Sequence, residues 1–180
     1  TARLSGEEGD RILVTAGQGT YSVSFVLLAT GSSTIIPPIP GLDKVNYWTS
    51  REALAAKTLP EDVTIIGGGV IGIEFAGIYS SLGVPVRVIE MAPEILGAMD
   101  RETSAMLRKE YGRRGVKFYL ETKVTAVSEE GVTIETKDGK SELLPTGQIL
   151  LSVGRRPETE ALGLETLSIA TNRSAVVVNA

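Results

Sequence analysis

A glycine run directly after a short apolar stretch is the feature that most constrains how this chain can fold. Val63–Ile66 is typical of a buried strand and is followed at once by Gly67-Gly68-Gly69-Val70-Ile71-Gly72. Glycines at the first, third and sixth positions, between a strand and a helix, form the dinucleotide-binding fingerprint. Gly67 is expected to make the tight turn, Gly69 to let the backbone approach a pyrophosphate, and Gly72 to let helix and strand pack closely.

The residues after the glycine run predict a helix and a second strand. Apolar residues recur at helical spacing over residues 70–82, and Gly83 stands where a left-handed C-terminal cap belongs. Val84–Ile89 follows as a buried strand. Strand–helix–strand order favours a parallel sheet with right-handed crossovers. The unpaired N–H groups and positive dipole end of the helix would then face the phosphates.

Two acidic residues are candidates for cofactor contacts. Glu90 ends the second strand 21 residues after Gly69, near the spacing of about 20 at which an acid accepts hydrogen bonds from the adenosine ribose. An incidental acid at a strand end is the alternative. No basic residue between Met91 and Ala98 could bind a 2′-phosphate, so NAD is favoured over NADP. Glu74 is either an acid that is merely stabilised by the helix dipole, or a side chain that points toward the nicotinamide end of the cofactor. The spacing alone leaves both interpretations open.

Further elements are predicted on both sides of this unit. Upstream, they are strands over Arg11–Val14 and Tyr21–Ala29, a linker at Pro37–Gly41 and a short helix over 51–56 capped by Thr49 or Ser50. Downstream, they are a helix over 101–114, a strand over 116–119, an antiparallel excursion from Thr122 with a hairpin turn at Asp138-Gly139, and a buried strand over 149–153. Arg155-Arg156-Pro157 should break that strand, and Val176–Val178 should form another.

Composition excludes several kinds of function. The chain has no cysteine and no histidine, so a thiolate nucleophile and the usual proton carrier near neutral pH are both missing. A net charge of -4 argues against a nucleic-acid partner. The apolar stretches are too short to span a membrane, and the first residues show no signal peptide. We expect a soluble, cytoplasmic protein without a membrane partner, a metal site or catalytic residues of its own.

Four segments, in this order along the chain, resemble the class I pyridine-nucleotide disulfide reductases. They are Ala29-Thr30-Gly31-Ser32, Pro37-Pro38-Ile39-Pro40-Gly41, Gly67 to Glu74, and Val153-Gly154-Arg155-Arg156-Pro157. Within that family the pattern is most similar to the dihydrolipoamide dehydrogenases, and mercuric-reductase-like members are harder to separate from it. The resemblance implies an α/β fold in which a Rossmann-like parallel sheet carries an antiparallel three-stranded excursion, flanked by strands of an incomplete FAD domain.

The resemblance also implies domains and residue roles. Residues 1–43 would be the end of an FAD domain, 44–153 the NAD-binding domain, and 154–180 the start of the return to the FAD domain. Gly67–Gly72 would hold the pyrophosphate and Glu90 the ribose. The remaining implied contacts are Glu74 near nicotinamide and flavin, Val124 beside the adenine, Gly154 at the nicotinamide end, and Thr30, Gly31 and Ser32 on FAD.

Departures from the family limit what the chain can do alone. The amino-terminal FAD fingerprint, the paired redox cysteines, the later Gly-Asp flavin motif and the histidine–glutamate pair have no counterpart. We therefore expect a fragment that binds NAD(H) without chemistry, from a homodimeric, FAD-containing parent that oxidises dihydrolipoamide with NAD, and that lacks the family's dimerisation domain. The alternatives are a non-enzymatic NAD-binding sensor or docking module, and an NAD-dependent oxidoreductase with another substrate. Residues 10–31 and 154–180 should carry exposed apolar surface.

Overall fold

A computed structural model describes residues 1–179 of the chain. Its strands are β1 (Ala2–Glu8), β2 (Arg11–Ala16), β3 (Gly19–Val23), β4 (Ser32–Thr34), β5 (Tyr47–Trp48), β6 (Val63–Ile66), β7 (Val86–Ile89), β8 (Lys117–Tyr119), β9 (Thr122–Ser128), β10 (Gly131–Thr136), β11 (Ser141–Pro145), β12 (Gln148–Leu151), β13 (Arg155–Pro157), β14 (Thr171–Asn172) and β15 (Ala175–Val176). Its α-helices are α1 (Ser50–Ala55), α2 (Val70–Ser81) and α3 (Arg101–Arg113), with 3-10 turns at Leu42–Lys44 and Leu164–Leu167.

The chain divides into two compact units. One is the continuous stretch Thr34–Gly154, and the other combines Thr1–Ser33 with Arg155–Ala180. The continuous unit therefore interrupts the other in sequence. Within residues 1–179, no helix combines the length and the apolar character needed to cross a membrane.

A five-stranded parallel sheet organises the continuous unit, in the order β5-β12-β6-β7-β8. All four residues of β6 are buried, as expected for a central parallel strand with both faces covered. The register places Ile66 beside Ile89 of β7 and beside Leu151 of β12. The carboxyl ends of these three strands consequently lie side by side, where α/β folds place their ligands.

Local signals set the ends of the helices. Thr49 and Glu52 form a capping box at the start of α1, with the Thr49 N–H donating to Glu52 Oε2 at 2.8 Å. The Asp100 side chain caps α3 by accepting from the Thr103 N–H at 2.9 Å. Helix α2 begins one residue after Gly69 and ends before Gly83, which is left-handed. The predicted helices and their caps are confirmed to within a residue or two.

The antiparallel excursion from Thr122 is also confirmed. It is a three-stranded sheet in the order β11-β10-β9, and Gly139 makes the predicted turn between β10 and β11. One face of this sheet packs into a hydrophobic cluster that also contains Ile66, Ile89 and Leu151 of the parallel sheet. A second cluster, on the helix side, surrounds the fully buried Ile65 and Val88. The parallel sheet is thus covered on both faces within this unit.

The predicted linker Pro37–Gly41 forms neither strand nor helix, as expected, but it is packed rather than free. The Val127 N–H donates to the Pro40 carbonyl at 2.8 Å, and Ile39 packs on the cluster of the antiparallel sheet. These contacts tie the proline-rich segment to β9.

The interrupted unit contains the antiparallel sheet β1-β2-β3 and the two-stranded sheets β13-β4 and β14-β15. Leu4 is buried, and its N–H donates to the Leu162 carbonyl at 2.7 Å, which joins the two halves of this unit. The boundary between the units falls within β4. The large apolar side chains Phe25 and Leu27 are 90% and 89% exposed, which confirms the expected apolar surface in residues 10–31.

Several expected elements differ in the structure. The strand predicted over Tyr21–Ala29 ends at Val23. The strand predicted over 149–153 ends at Leu151, and Arg155–Pro157, predicted to break that strand, form the separate short strand β13. The last strand contains Ala175–Val176 and excludes Val178. Strands β1 and β5 were not predicted at all, since neither shows a clear alternation of apolar and polar residues.

Candidate dinucleotide-binding site

The glycine loop turns sharply at Gly67, between β6 and α2. Its φ is 110°, a value that side-chain-bearing residues rarely adopt. A Cβ atom at this position would lie 2.5 Å from the Ser152 carbonyl oxygen. The Gly67 N–H donates to the Ile89 carbonyl at 2.9 Å, which keeps the turn on the sheet. The backbone here therefore requires glycine, as the fingerprint predicts.

Gly72 and Ser152 support this turn from the side of the helix. A Cβ atom on Gly72 would lie 2.1 Å from the Gly67 carbonyl oxygen and 2.7 Å from Ser152 Oγ. The buried Ser152 hydroxyl lies 3.2 Å from the Ile66 carbonyl oxygen and 3.1 Å from that of Gly67, so it can donate to either. Sequence reasoning missed Ser152. Its signal was a small polar residue at the end of the apolar run 149–151.

The space in front of Gly69 is open. Gly69 is the N-cap of α2, has no side-chain cap, and would carry a Cβ atom with no heavy atom within 4 Å. The first bond within the helix joins the Ile73 N–H to the Gly69 carbonyl at 3.0 Å. The N–H groups of residues 70–72 precede that bond and have no helical partner. Open space beside unpaired amides at a helix N-terminus fits a pyrophosphate.

Glu90 adjoins this loop. Glu90 Oε2 accepts from the Gly68 N–H at 2.6 Å, and Oε1 accepts from the Ala92 N–H at 2.7 Å. The backbone of Glu90 is also fixed, since its N–H donates to the Tyr119 carbonyl and its carbonyl accepts from the Thr122 N–H, at 2.9 and 3.0 Å. The protein's own backbone thus orients the carboxylate. Each of its oxygens retains a lone pair that could accept from a sugar hydroxyl.

The loop after Glu90 is anchored by an ion pair. Arg108 of α3 donates to Glu94 from Nε at 2.7 Å and from Nη2 at 2.9 Å. Only 12% of the Glu94 side chain is exposed, against 36% of Arg108. Hydrogen bonding to Arg108 holds the pKa of Glu94 below its usual range, and hydrogen bonding to Glu94 raises the pKa of Arg108. The pair is charged at neutral pH.

The other residues predicted for this unit have varied surroundings. Glu74 is exposed in α2 and borders a shallow groove with Tyr111 and Arg114. Val124 is 8% exposed and belongs to the cluster beneath the antiparallel sheet. The Gly154 carbonyl accepts from the Ile35 N–H at 3.0 Å. The structure brings together the glycine loop and Glu90; it gives the other three residues no contact that would identify a ligand.

Thr30, Gly31 and Ser32 belong to the interrupted unit, where all three are exposed. Arg155 of the same unit donates to Ser32 Oγ from Nε at 2.8 Å, and its Nη2 donates to the Ser32 carbonyl. Among residues 1–179, no group of three or more aspartates and glutamates is placed to hold a metal ion.

Comparison with known proteins places this geometry in a family. The family model described as pyridine nucleotide-disulphide oxidoreductase matches residues 4–180. A dihydrolipoyl dehydrogenase of Rhizobium etli is 38% identical over 169 residues, which cover 91% of this chain and 35% of that protein. A dihydrolipoyl dehydrogenase of Acholeplasma laidlawii is 39% identical over 158 residues, covering 86% of this chain and 46% of that protein. The chain thus spans between a third and a half of these curated relatives.

Solved structures give the same result. The flavoprotein disulfide reductase RclA of Escherichia coli, in a complex with Cu(II), superposes with a TM-score of 0.80 at 29% identity, over 98% of this chain and 40% of that one. LpdA of Mycobacterium tuberculosis superposes with a TM-score of 0.79 at 28% identity, over 96% of this chain and 39% of that one.

Proposed function

The chain belongs to the pyridine nucleotide-disulphide oxidoreductase family, and from that premise we propose that its residues 44–153 are an NAD(H)-binding domain. The bond from the Gly68 N–H to Glu90 Oε2, at 2.6 Å, carries this proposal. It joins a loop suited to phosphates to a carboxylate suited to a ribose, the two groups that hold the adenosine diphosphate moiety of a dinucleotide in a Rossmann fold.

The pyrophosphate would lie against Gly69 and the first turn of α2. Support comes from the open space at Gly69 and from the unpaired amides of residues 70–72. The Gly68 N–H would not be a phosphate donor, because Glu90 already accepts from it. The phosphate donors are therefore the amides that follow Gly68.

The preference for NAD over NADP follows from charge. The 2′-phosphate of NADP would lie against the Glu90 carboxylate, and the repulsion between these two negative charges would disfavour NADP binding. The segment from Met91 to Ala98 contains no lysine or arginine to compensate. Along the rest of the cofactor, Glu74 and Gly154 would lie toward the nicotinamide, and Val124 beside the adenine.

For the whole protein we propose a dihydrolipoamide dehydrogenase, a cytoplasmic homodimer that passes electrons from dihydrolipoamide through a disulfide and FAD to NAD. NAD supplies the hydride acceptor, and the protein holds it in place. Thr30, Gly31 and Ser32 would contact FAD. The 180 residues contain no cysteine or histidine, so we propose that they bind the nucleotide and carry out none of the redox steps.

The variant Gly69→Ala tests the nucleotide site. Gly69 has φ -74° and ψ -175°, which alanine adopts without strain, and its added methyl group would meet no protein atom within 4 Å. We expect an unchanged fold, and NADH binding weakened by about tenfold or more, equivalent to about 1.4 kcal/mol. The matched control is Gly112→Ala, in open space on α3, which should leave binding unchanged.

Isothermal titration calorimetry measures the affinity of both variants and of the unaltered chain for NADH and for NADPH. The proposal predicts that NADH binds more tightly than NADPH. Absence of NADH binding by the folded chain, tighter NADPH binding, or equal affinity in Gly69→Ala would contradict it.

A further inference from the structure

Both backbone polar groups of Gly68, its N–H and its carbonyl, are hydrogen-bonded to the segment that follows β7. Its N–H donates to Glu90 Oε2 at 2.6 Å, and its carbonyl accepts from the Leu96 N–H at 2.8 Å. The two partners are six residues apart in the chain. The conformation of residues 90–96 therefore determines where the middle of the glycine loop lies.

The segment needs an external restraint at Leu96. Leu96 has φ 54°, a left-handed conformation that costs a residue with a side chain about 1 kcal/mol. Its neighbour Ile95 is fully buried in the core on the helix side of the sheet. Leu96 packs against the same core, and its carbonyl accepts from the Met99 N–H at 2.7 Å.

Glu94 supplies a further restraint, from a side chain bonded to α3. Its carboxylate receives the two bonds from Arg108, and Oε1 also accepts from the Ile95 N–H at 3.0 Å. A two-pronged guanidinium–carboxylate pair fixes orientation as well as distance. Arg108 lies in α3, next to Leu107, which packs on the core. The helix thus provides a rigid attachment for the segment.

We propose that Arg108 is a positioning residue for the adenosine half of the nucleotide site. It acts through Glu94, Ile95 and Leu96 on the carbonyl of Gly68, and so holds the glycine loop against Glu90. This inference rests on the proposed function and adds a residue, outside the glycine fingerprint and its acid, that sets nucleotide affinity.

The test compares Arg108→Gln with Arg113→Gln in the full chain. Arg113 lies on the same helix, 68% of its side chain is exposed, and its pair with Glu110 is long at 3.5 Å. We expect Arg108→Gln to weaken the binding of NADH and of ADP-ribose by the same factor, about 3- to 10-fold, because both ligands contain the adenosine half. Arg113→Gln should change neither affinity. Arg108→Lys should recover part of the loss.

A purely structural role would lower the melting temperature without changing affinity at a temperature where every variant is folded. Two further measurements separate the cases. Hydrogen exchange of the Leu96 amide in the unliganded chain should become faster in Arg108→Gln but not in Arg113→Gln. The double variant Glu94→Gln with Arg108→Gln should lose no more affinity than either single variant.

Unchanged NADH affinity in Arg108→Gln, unchanged exchange at Leu96, or additive losses in the double variant would each overturn the inference while leaving the proposed function intact. A folded, unaltered chain that does not bind NADH would overturn both.

Discussion

The Glu90 carboxylate accepts the Gly68 N–H at 2.6 Å, so the acid at the end of β7 is bonded directly to the glycine loop after β6. Glu90 therefore stabilises the glycine loop itself, in addition to any contact it makes with a sugar. Removing its carboxylate should alter the unliganded protein as well as its affinity, and the two effects can be measured separately.

Glu90→Ala should lower the free energy of unfolding by about 2 kcal/mol, because the amides of Gly68 and Ala92 lose their acceptor. Glu90→Gln retains one acceptor oxygen and should lose about half as much. Urea unfolding without ligand measures both changes. The control is Glu129→Ala, on an exposed turn, which should change stability by less than about 0.5 kcal/mol. Equal stability of Glu90→Ala and the unaltered chain would refute this role.

Gly67→Ala should destabilise the protein by at least about 3 kcal/mol, through its positive φ and its steric overlap with the Ser152 carbonyl. Gly112→Ala, within α3 and free of nearby atoms, should instead stabilise by about 0.5–1 kcal/mol. Thermal unfolding of the two variants gives the comparison. A destabilisation of Gly67→Ala no larger than 1 kcal/mol would show that the turn relaxes easily.

Glu94 should make stability depend on pH in the acid range. Its pKa is lowered in the folded state by Arg108, so the folded protein binds this proton more weakly than the unfolded chain. The stabilisation is complete above the ordinary glutamate pKa of about 4.3 and is lost as the pH falls through the lower, folded-state pKa. With Arg108 36% exposed, we expect only about 1 kcal/mol.

Urea unfolding of Glu94→Gln and the unaltered chain between pH 7 and pH 3 measures this effect. The difference between them should be largest at neutral pH and should shrink below about pH 4.3. In an Arg108→Gln background the same substitution should produce no such pH dependence. A difference that stays constant across the range would argue against the ion pair as its source.

Phe25 and Leu27 should promote self-association of the chain, because both large apolar side chains are almost fully exposed. Replacing both with serine should reduce association measured by light scattering and should change the free energy of unfolding by less than about 0.5 kcal/mol. Leu4→Ser is the control in the same unit. Since Leu4 is 3% exposed, its loss should destabilise by about 2–5 kcal/mol. If the serine variant still self-associated, a surface other than Phe25 and Leu27 would be responsible.

The continuous unit was largely predictable because its signals are local. The apolar residues of α2, the left-handed Gly83 and the hairpin at Gly139 all act within a few positions of the chain. The glycine fingerprint and the spacing to Glu90 likewise follow from the geometry of one strand–helix–strand unit.

Features that depend on long-range pairing were not predictable. The run Ser24–Ala29 is apolar enough for a strand, yet no strand within residues 1–179 pairs with it, and Phe25 remains exposed. Strand β1 was not recognised because it contains charged residues and because its pairing with β2 shifts register between Leu4 and Gly6. Nothing near Gly67 in sequence indicated that Ser152 would support its turn, and nothing indicated that Leu96 would bond to Gly68.

The order of strands also has a consequence for biosynthesis. Strand β12 lies between β5 and β6, although it leaves the ribosome after every other strand of that sheet. In the nascent chain, β5 and β6 must therefore stay apart, or pair with each other and later separate, until Leu151 of β12 emerges. Ser152 then reaches Gly67 across 85 positions of sequence. Closing such a distant contact is slow, so the glycine loop should be among the last parts of this unit to fold. Chains released early should lack its folded conformation.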